Sequence, residues 1–209
     1  MNIRLLDSIP LISNKTKIKI SISLLIFAFI VCIFRSGSID SKFCLVAMFF
    51  SSLGDIALNC KPIEKRSHTL LYIGAFFFMI AHLIYASAYY LLIQGASLSF
   101  ANPGMYIAMS IMILIFIVSV ISIRKGKKSM KLSMIFVFMM YMIMISINFI
   151  TIYSYSWNFK AISFIGATSF LISDYIIGIE TVFKIKSNLL RKLVWIFYPI
   201  GQILIIFCR

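Results

Sequence analysis

The stretch LSMIFVFMMYMIMISINFI, residues 132–150, contains 19 residues without a single charged side chain. At a rise of 1.5 Å per residue, a helix of that length spans about 29 Å, close to the ~30 Å hydrocarbon core of a bilayer. Similar runs recur along the 209-residue chain, which is 62% hydrophobic and only 12% charged. A soluble domain carries about twice that charged fraction. The sequence therefore predicts an all-α integral membrane protein.

The apolar runs between charged residues indicate how many times the chain crosses the bilayer. They predict seven transmembrane helices, over residues 19–35, 43–60, 69–93, 104–123, 132–150, 161–182 and 193–208. The first is the shortest, because only 15 residues separate Lys19 from Arg35, which corresponds to about 22 Å of helix. We expect a single domain, a polytopic bundle of seven transmembrane helices over residues 19–209. A cytoplasmic or interfacial segment, residues 1–18, precedes it.

Basic residues are distributed unequally between alternate loops. Of the 20 Lys and Arg residues, 16 fall on the side that holds the N-terminus and four fall on the other side. Because cytoplasmic loops are rich in basic residues, this bias predicts a cytoplasmic N-terminus, an outward-facing C-terminus and a location in the cell (inner) membrane. The net charge of +14 does not indicate nucleic-acid binding, since the basic residues lie at the ends of apolar runs and form no continuous face.

Two acidic residues, Asp55 and Asp174, lie well inside predicted spans. An Asp at the centre of a transmembrane helix costs roughly 2.5–3.5 kcal/mol, so such a residue usually faces the bundle interior and has a function. Asp55 precedes Lys61 by six residues, about 9 Å of helix, and Asp174 precedes Lys184 by ten residues, about 15 Å. Both therefore lie in the cytoplasmic half of the membrane, where they are able to meet.

Further polar side chains at membrane depth are candidates for the same site. They are Asn59, one helical turn after Asp55, His82, Tyr85 on the same face as His82, Tyr141 and Gln202. We expect these side chains to line one polar cavity that several helices reach. A packing role is the alternative for each of them, since polar side chains in membranes also join helices by hydrogen bonds. No metal site is predicted, because His82 is the only histidine inside a span. A metal held by Asp55, Asp174 and His82 is the alternative.

Four short motifs resemble those of a known family. Residues 51–58, SSLGDIAL, are similar to its S-L-L-G-D-x-L-L segment, and residues 74–85 resemble its G-A-F-x-F…H-L-x-Y helix. Residues 164–174 resemble its G-A-x-L-F-x-x-S-D segment, and residues 198–205, which begin with Tyr198, resemble its final Y-x-x-x-Q-x-L-I. In this order and combination, the motifs make the chain similar to the YhhN family of lysoplasmalogenase-like membrane proteins.

The resemblance implies a hydrolase that needs no cofactor. Its substrate would be a lysoplasmalogen in the bilayer, whose vinyl ether is cleaved to a fatty aldehyde and glycerophosphoethanolamine or glycerophosphocholine. Asp55 and Asp174 would supply the general acid and the carboxylate that stabilises the cationic intermediate and activates water. The residues that would bind or orient the substrate are Asn59, His82, Tyr85, Tyr141, Tyr198 and Gln202. The basic residues that would attract its phosphate are Lys61, Lys65 and Arg66.

Other interpretations of the same residues stay open. Members of the family have eight helices, so the seven predicted spans imply that the first helix is missing here. A proton-coupled transporter would use the two aspartates as a relay, although no repeated half is visible in the sequence. A non-catalytic, lipid-binding membrane protein would keep the fold without the reaction. A retinal protein is disfavoured, because the last span has no internal Lys for a Schiff base.

Overall fold

The computed structural model describes residues 12–61, 67–97, 99, 101–125, 132–159, 162–182 and 187–207. Most of the predicted N-terminal segment, and the basic residues Lys65 and Arg66, lie outside this part of the chain. Within it, the chain forms seven α-helices and no β-strand. The helices are α1 (Asn14–Phe34), α2 (Ile39–Asn59), α3 (His68–Gly95), α4 (Pro103–Lys125), α5 (Leu132–Phe159), α6 (Ser163–Val182) and α7 (Asn188–Phe207).

The surface of the bundle is that of a membrane protein. Six of the described helices are long and apolar enough to cross a membrane, and α6 has a shorter apolar part, Ser163–Gly178. Large apolar side chains such as Phe34 and Phe136 are exposed, whereas the polar side chains of Asp55 and Gln202 are buried. This arrangement suits a chain surrounded by lipid, in which polar groups face the interior. It confirms the predicted polytopic, all-α bundle.

The first helix is longer than the sequence predicts. It begins at Asn14 because Ser13 caps it, with the Ser13 hydroxyl accepting a hydrogen bond from the Thr16 main-chain nitrogen at 3.1 Å. With 21 residues, α1 is about 32 Å long and matches the hydrocarbon core. The predicted start at residue 19 is therefore wrong by five residues. Lys17 lies inside the helix, with its Nζ atom 5.6 Å from the centre of the Trp195 ring.

The fifth helix also extends beyond its predicted end at residue 150. It runs to Phe159, through a stretch with several Ser, Thr and Tyr residues that usually favour a helix end. Here the short polar side chains bond back within the helix: Thr151 donates to the Ile147 carbonyl oxygen and Ser156 donates to the Ile152 carbonyl oxygen, each at 2.7 Å. Because these hydroxyl groups are satisfied locally, the helix continues through an otherwise unfavourable composition.

Six of the helices form a closed ring. Neighbouring pairs in contact are α1–α2, α2–α3, α3–α5, α5–α6, α6–α7 and α7–α1, while α4 packs against α5. Contacts between helix ends agree with a chain that crosses the membrane in alternating directions. Arg35, after the end of α1, donates to the carbonyl oxygen of Phe207 at the end of α7. At the opposite end of the bundle, the Arg191 Nε atom lies 3.2 Å from Glu180 Oε1.

Glycines allow α6 and α7 to cross at very short distance. A Cβ atom on Gly166 would lie 2.8 Å from Leu204 Cβ, and a Cβ atom on Gly201 would lie 2.8 Å from the Phe170 main-chain nitrogen. Small residues of this kind let two membrane helices approach until their backbones touch. The crossing fixes the position of Phe170, which lies in the interior of the ring, 1% exposed.

Candidate active site

Asp174 is the centre of a hydrogen-bonded group that joins three helices. Its Oδ2 atom lies 3.0 Å from His82 Nε2 and accepts a hydrogen bond of 2.7 Å from the Tyr141 hydroxyl group. The Tyr141 hydroxyl is also 3.2 Å from His82 Nε2. On the other side of the imidazole, Asn148 Nδ2 lies 3.0 Å from His82 Nδ1. We call Asp174, His82, Tyr141 and Asn148 the Asp174 cluster.

The Asp174 cluster follows from the positions of its members along the helices. His82 comes from α3, Asp174 from α6, and Tyr141 and Asn148 from α5, where a spacing of seven residues places both on one face. His82 is completely buried, and Asp174 and Asn148 are almost so. Since an unpaired polar group in such surroundings would be costly, the hydrogen bonds stabilise the ring of helices as well as the site.

Asp55 belongs to a second group. The Tyr198 hydroxyl of α7 donates to Asp55 Oδ2 at 2.6 Å, a short bond of the kind made to a charged or strongly polar acceptor. The Ser21 side chain of α1 lies near the same carboxyl group, and its buried Oγ atom has no hydrogen-bond partner among the described residues. We call Asp55, Tyr198 and Ser21 the Asp55 cluster. All three residues are at least nine-tenths buried.

A third pair of predicted site residues lies farther along α3 and α7. Tyr85 donates to Gln202 Oε1 at 2.6 Å, and Gln202 Nε2 lies 3.5 Å from Ser51 Oγ. Tyr85 and Gln202 are completely buried. In this arrangement they join α2, α3 and α7.

Asn59 has a local role in the structure. Its Nδ2 atom donates to the main-chain carbonyl oxygen of Asp55, one turn earlier in α2, at 2.9 Å. The sequence placed Asn59 on the same face as Asp55, and the contact agrees with that spacing. The amide satisfies a carbonyl oxygen near the end of the helix. The structure therefore gives Asn59 a helix-end contact rather than a contact with the carboxyl group.

The Phe170 ring separates the two aspartate clusters. Its centroid is 4.9 Å from the centroid of the His82 ring and 5.6 Å from that of the Tyr198 ring. The two carboxyl groups are nevertheless close enough for their charges to interact. Sequence reasoning placed both acids in the same half of the membrane, and that depth stays a prediction. It expected one shared polar cavity, whereas the structure forms two clusters with an aromatic ring between them.

A mainly apolar cavity of about 90 Å³ reaches the Asp174 cluster from between α3, α5 and α6. Asp174 and Tyr141 contribute its polar end. The rest of its wall comes from apolar side chains, among them Leu71, Phe78, Phe138, Met142 and Leu171. A polar end and an apolar wall suit a reactive polar link and the adjoining part of a hydrocarbon chain. The cavity is smaller than the roughly 300–1,000 Å³ of typical ligand pockets, so it would hold only part of a lipid. Asp55 is not part of this wall.

Two residues that the sequence analysis missed contribute to the clusters. Asn148 was detectable, since it is an amide in an apolar run and lies two helical turns from Tyr141. Ser21 carried no such signal, because short hydroxyl side chains are common in membrane helices. Among the residues that the structure describes, His, Cys, Asp and Glu side chains form no group of three or more that would hold a metal ion.

The fold and the buried acid clusters define a polytopic helical membrane protein with an internal polar site. A family model described as the YhhN family matches residues 14–208, nearly the whole chain. The chain therefore belongs to the YhhN family, as the four motifs indicated. No curated protein and no solved structure matches it.

Proposed function

We propose that this protein is a membrane-embedded hydrolase that cleaves the vinyl ether bond of a lysoplasmalogen. The products are a fatty aldehyde and glycerophosphoethanolamine or glycerophosphocholine. The observation that carries the proposal is the position of Asp174. Its carboxyl group lies at the polar end of an apolar cavity and is hydrogen-bonded to His82 and Tyr141. Membership of the YhhN family is consistent with this function.

The reaction needs an acid that can protonate a carbon atom of the substrate. A vinyl ether is cleaved when a proton adds to its β-carbon, which leaves an oxocarbenium ion. Water then adds to the α-carbon and returns one proton to the protein. The hemiacetal collapses to the aldehyde and the free alcohol, so the sum of the steps consumes one water molecule. Asp174, together with His82, is the group we assign to the proton transfer, because it lines the cavity where the alkenyl chain would lie.

Asp55 has a different role in this proposal. It does not line the cavity, and its carboxyl group is held by Tyr198 at 2.6 Å. In its ionised form, a carboxyl group in a low-dielectric interior stabilises a nearby positive charge far more than it would in water. We therefore assign Asp55 to electrostatic stabilisation of the oxocarbenium ion.

The test uses purified protein in detergent, with aldehyde release from lysoplasmalogen measured by mass spectrometry. Asp174→Asn is expected to lower kcat at least about a hundredfold, the usual contribution of a general acid, and Asp55→Asn is expected to lower it as well. Asp40→Asn is the matched control, because Asp40 lies in the first turn of α2, at the other end of the helix from Asp55. Full activity in both the Asp174 and Asp55 variants would refute the assignment.

The substrate is tested separately from the residues. A lysolipid with a saturated ether in place of the vinyl ether should not be cleaved, because it has no double bond to protonate. Lysophospholipids with an ester bond should also survive. If none of these lipids is cleaved while protons cross the membrane of proteoliposomes that contain the protein, a transporter would be favoured over the hydrolase.

A further inference from the structure

Asn148 is a buried amide that contacts the candidate acid-base pair without contacting a carboxyl group. It lies on α5, is 3% exposed, and its Nδ2 atom is 3.0 Å from His82 Nδ1. Its Oδ1 atom is buried and has no hydrogen-bond partner among the residues that the structure describes. A buried polar atom without a partner is rare and calls for a physical reason.

The contact with Asn148 determines where His82 carries its proton. An amide nitrogen is only a donor, so His82 Nδ1 has to act as an acceptor and has no proton. In a neutral imidazole the proton is then on Nε2, the nitrogen that lies 3.0 Å from Asp174 Oδ2. This tautomer directs the N–H group of His82 at the carboxylate that we assign to catalysis.

The unpartnered oxygen of Asn148 becomes useful when the pair takes up a proton. A doubly protonated imidazole has an N–H group at Nδ1 and can no longer accept a hydrogen bond there. If the amide turns by about 180°, Oδ1 takes the place of Nδ2 and accepts from that N–H group. The other groups in contact with the His82 ring are Asp174, Tyr141 and the Phe170 ring. None of them is hydrogen-bonded to Nδ1 in the described structure.

We propose that Asn148 is a positioning residue that holds His82 in the Nε2–H tautomer and turns its amide when His82 gains a second proton. Its effect on hydrolysis rests on the proposed function, whereas the tautomer does not. In the catalytic cycle the amide would turn once as the proton arrives and again as Asp174 delivers it to the substrate. Asn148 would thereby stabilise the His82–Asp174 pair both before and after His82 gains the second proton.

The tautomer can be observed directly. The sequence contains two histidines, and the other one, His68, lies exposed at the start of α3, away from the cluster. In a His68→Gln background, ¹⁵N-labelled histidine therefore gives signals from His82 alone. NMR spectra in detergent micelles distinguish protonated from unprotonated ring nitrogens. We expect Nε2 to be protonated and Nδ1 to be unprotonated at neutral pH, and the opposite tautomer would overturn the proposal.

Two substitutions test the cause. Asn148→Asp keeps the shape of the side chain and offers only acceptors, so Nδ1 should become protonated at the same pH. Asn148→Leu removes the donor, so both tautomers should appear. An unchanged spectrum in both variants would show that Asn148 does not fix the tautomer. Because Asn148→Asp is nearly isosteric, it remains informative if Asn148→Leu does not fold.

The catalytic part is tested by hydrolysis of lysoplasmalogen. Asn148→Leu should lower kcat about tenfold or more with little change in KM, because proton transfer is affected and substrate binding is not. An unchanged kcat together with a disturbed tautomer would refute the catalytic role. If the wild-type protein shows no hydrolysis, the proposed function fails while the spectra still decide the role of Asn148.

Discussion

One methyl group at the crossing of α6 and α7 is expected to disturb both the fold and the site. In Gly201→Ala the new Cβ atom would lie 2.8 Å from the Phe170 main-chain nitrogen, whereas ordinary contact begins at 3.4 Å. The helices would have to separate by about 0.6 Å, and overpacking of this kind costs about 1–3 kcal/mol. This corresponds to an unfolding equilibrium constant about 5- to 150-fold larger.

A matched substitution separates the clash from the general effect of replacing glycine. At Gly95, the last residue of α3, an added Cβ atom would meet no neighbouring atom within 4 Å. Gly95→Ala therefore measures how much the replacement of a helical glycine by alanine stabilises the protein without a clash, which is up to ~1 kcal/mol. The difference between the two variants measures the clash.

Unfolding in detergent, followed by circular dichroism during heating or titration with denaturant, gives the free energies of both variants. Gly201→Ala should also lower aldehyde release, because the displaced Phe170 ring lies 4.9 Å from that of His82 and 5.6 Å from that of Tyr198. Equal stability of Gly201→Ala and Gly95→Ala would refute the close crossing.

Three further predictions concern the site and the orientation of the chain. Tyr141→Phe removes the hydroxyl group that donates to Asp174 and should lower kcat about ten- to a hundredfold; Tyr153→Phe, which removes a hydroxyl bonded to Thr168, should have little effect. Gly178→Leu narrows the cavity beside Phe138, so KM should rise more for long-chain than for short-chain substrates, and an equal rise for all lengths would contradict the proposed chain-binding site. In a bacterial inner membrane, alkaline phosphatase fused to the C-terminus should be active, and green fluorescent protein fused there should be dark; the reverse pattern would show that the predicted orientation is wrong.

The sequence predicted the bundle because long apolar runs leave few alternatives to membrane helices. The boundaries were less accurate, for reasons that are local. Ser13 starts α1 before the basic residues that mark the membrane edge, and back-bonded hydroxyl groups such as that of Thr151 carry α5 beyond its apolar run. Hydropathy measures the cost of moving a side chain out of water. It does not show whether a hydroxyl group can donate a hydrogen bond to a carbonyl oxygen of its own helix.

The site was predictable only in part. Asp55 and Asp174 were noticed because an acid in an apolar run is costly, and helix geometry placed both in the same half of the membrane. Their partners depend on how the helices rotate in the ring, which one sequence does not show. In the structure, His82 and Tyr141 are hydrogen-bonded to Asp174, while Tyr198 is hydrogen-bonded to Asp55. The catalytic and binding roles of all these residues stay predictions.

The Phe170 ring between the two clusters has a consequence for the movement of protons. Transfer between carboxyl groups proceeds along groups that can release and accept a proton, and a benzene ring can do neither. Along the described contacts, the route from Asp174 to Asp55 passes from His82 to the Phe170 ring and on to Tyr198. The ring therefore offers no direct path for a proton along these contacts, while the charges of the two carboxyl groups still interact. Two acids without a direct path for protons between them suit the proposed hydrolase, in which each acid has its own role. They suit a relay that carries protons across the membrane less well.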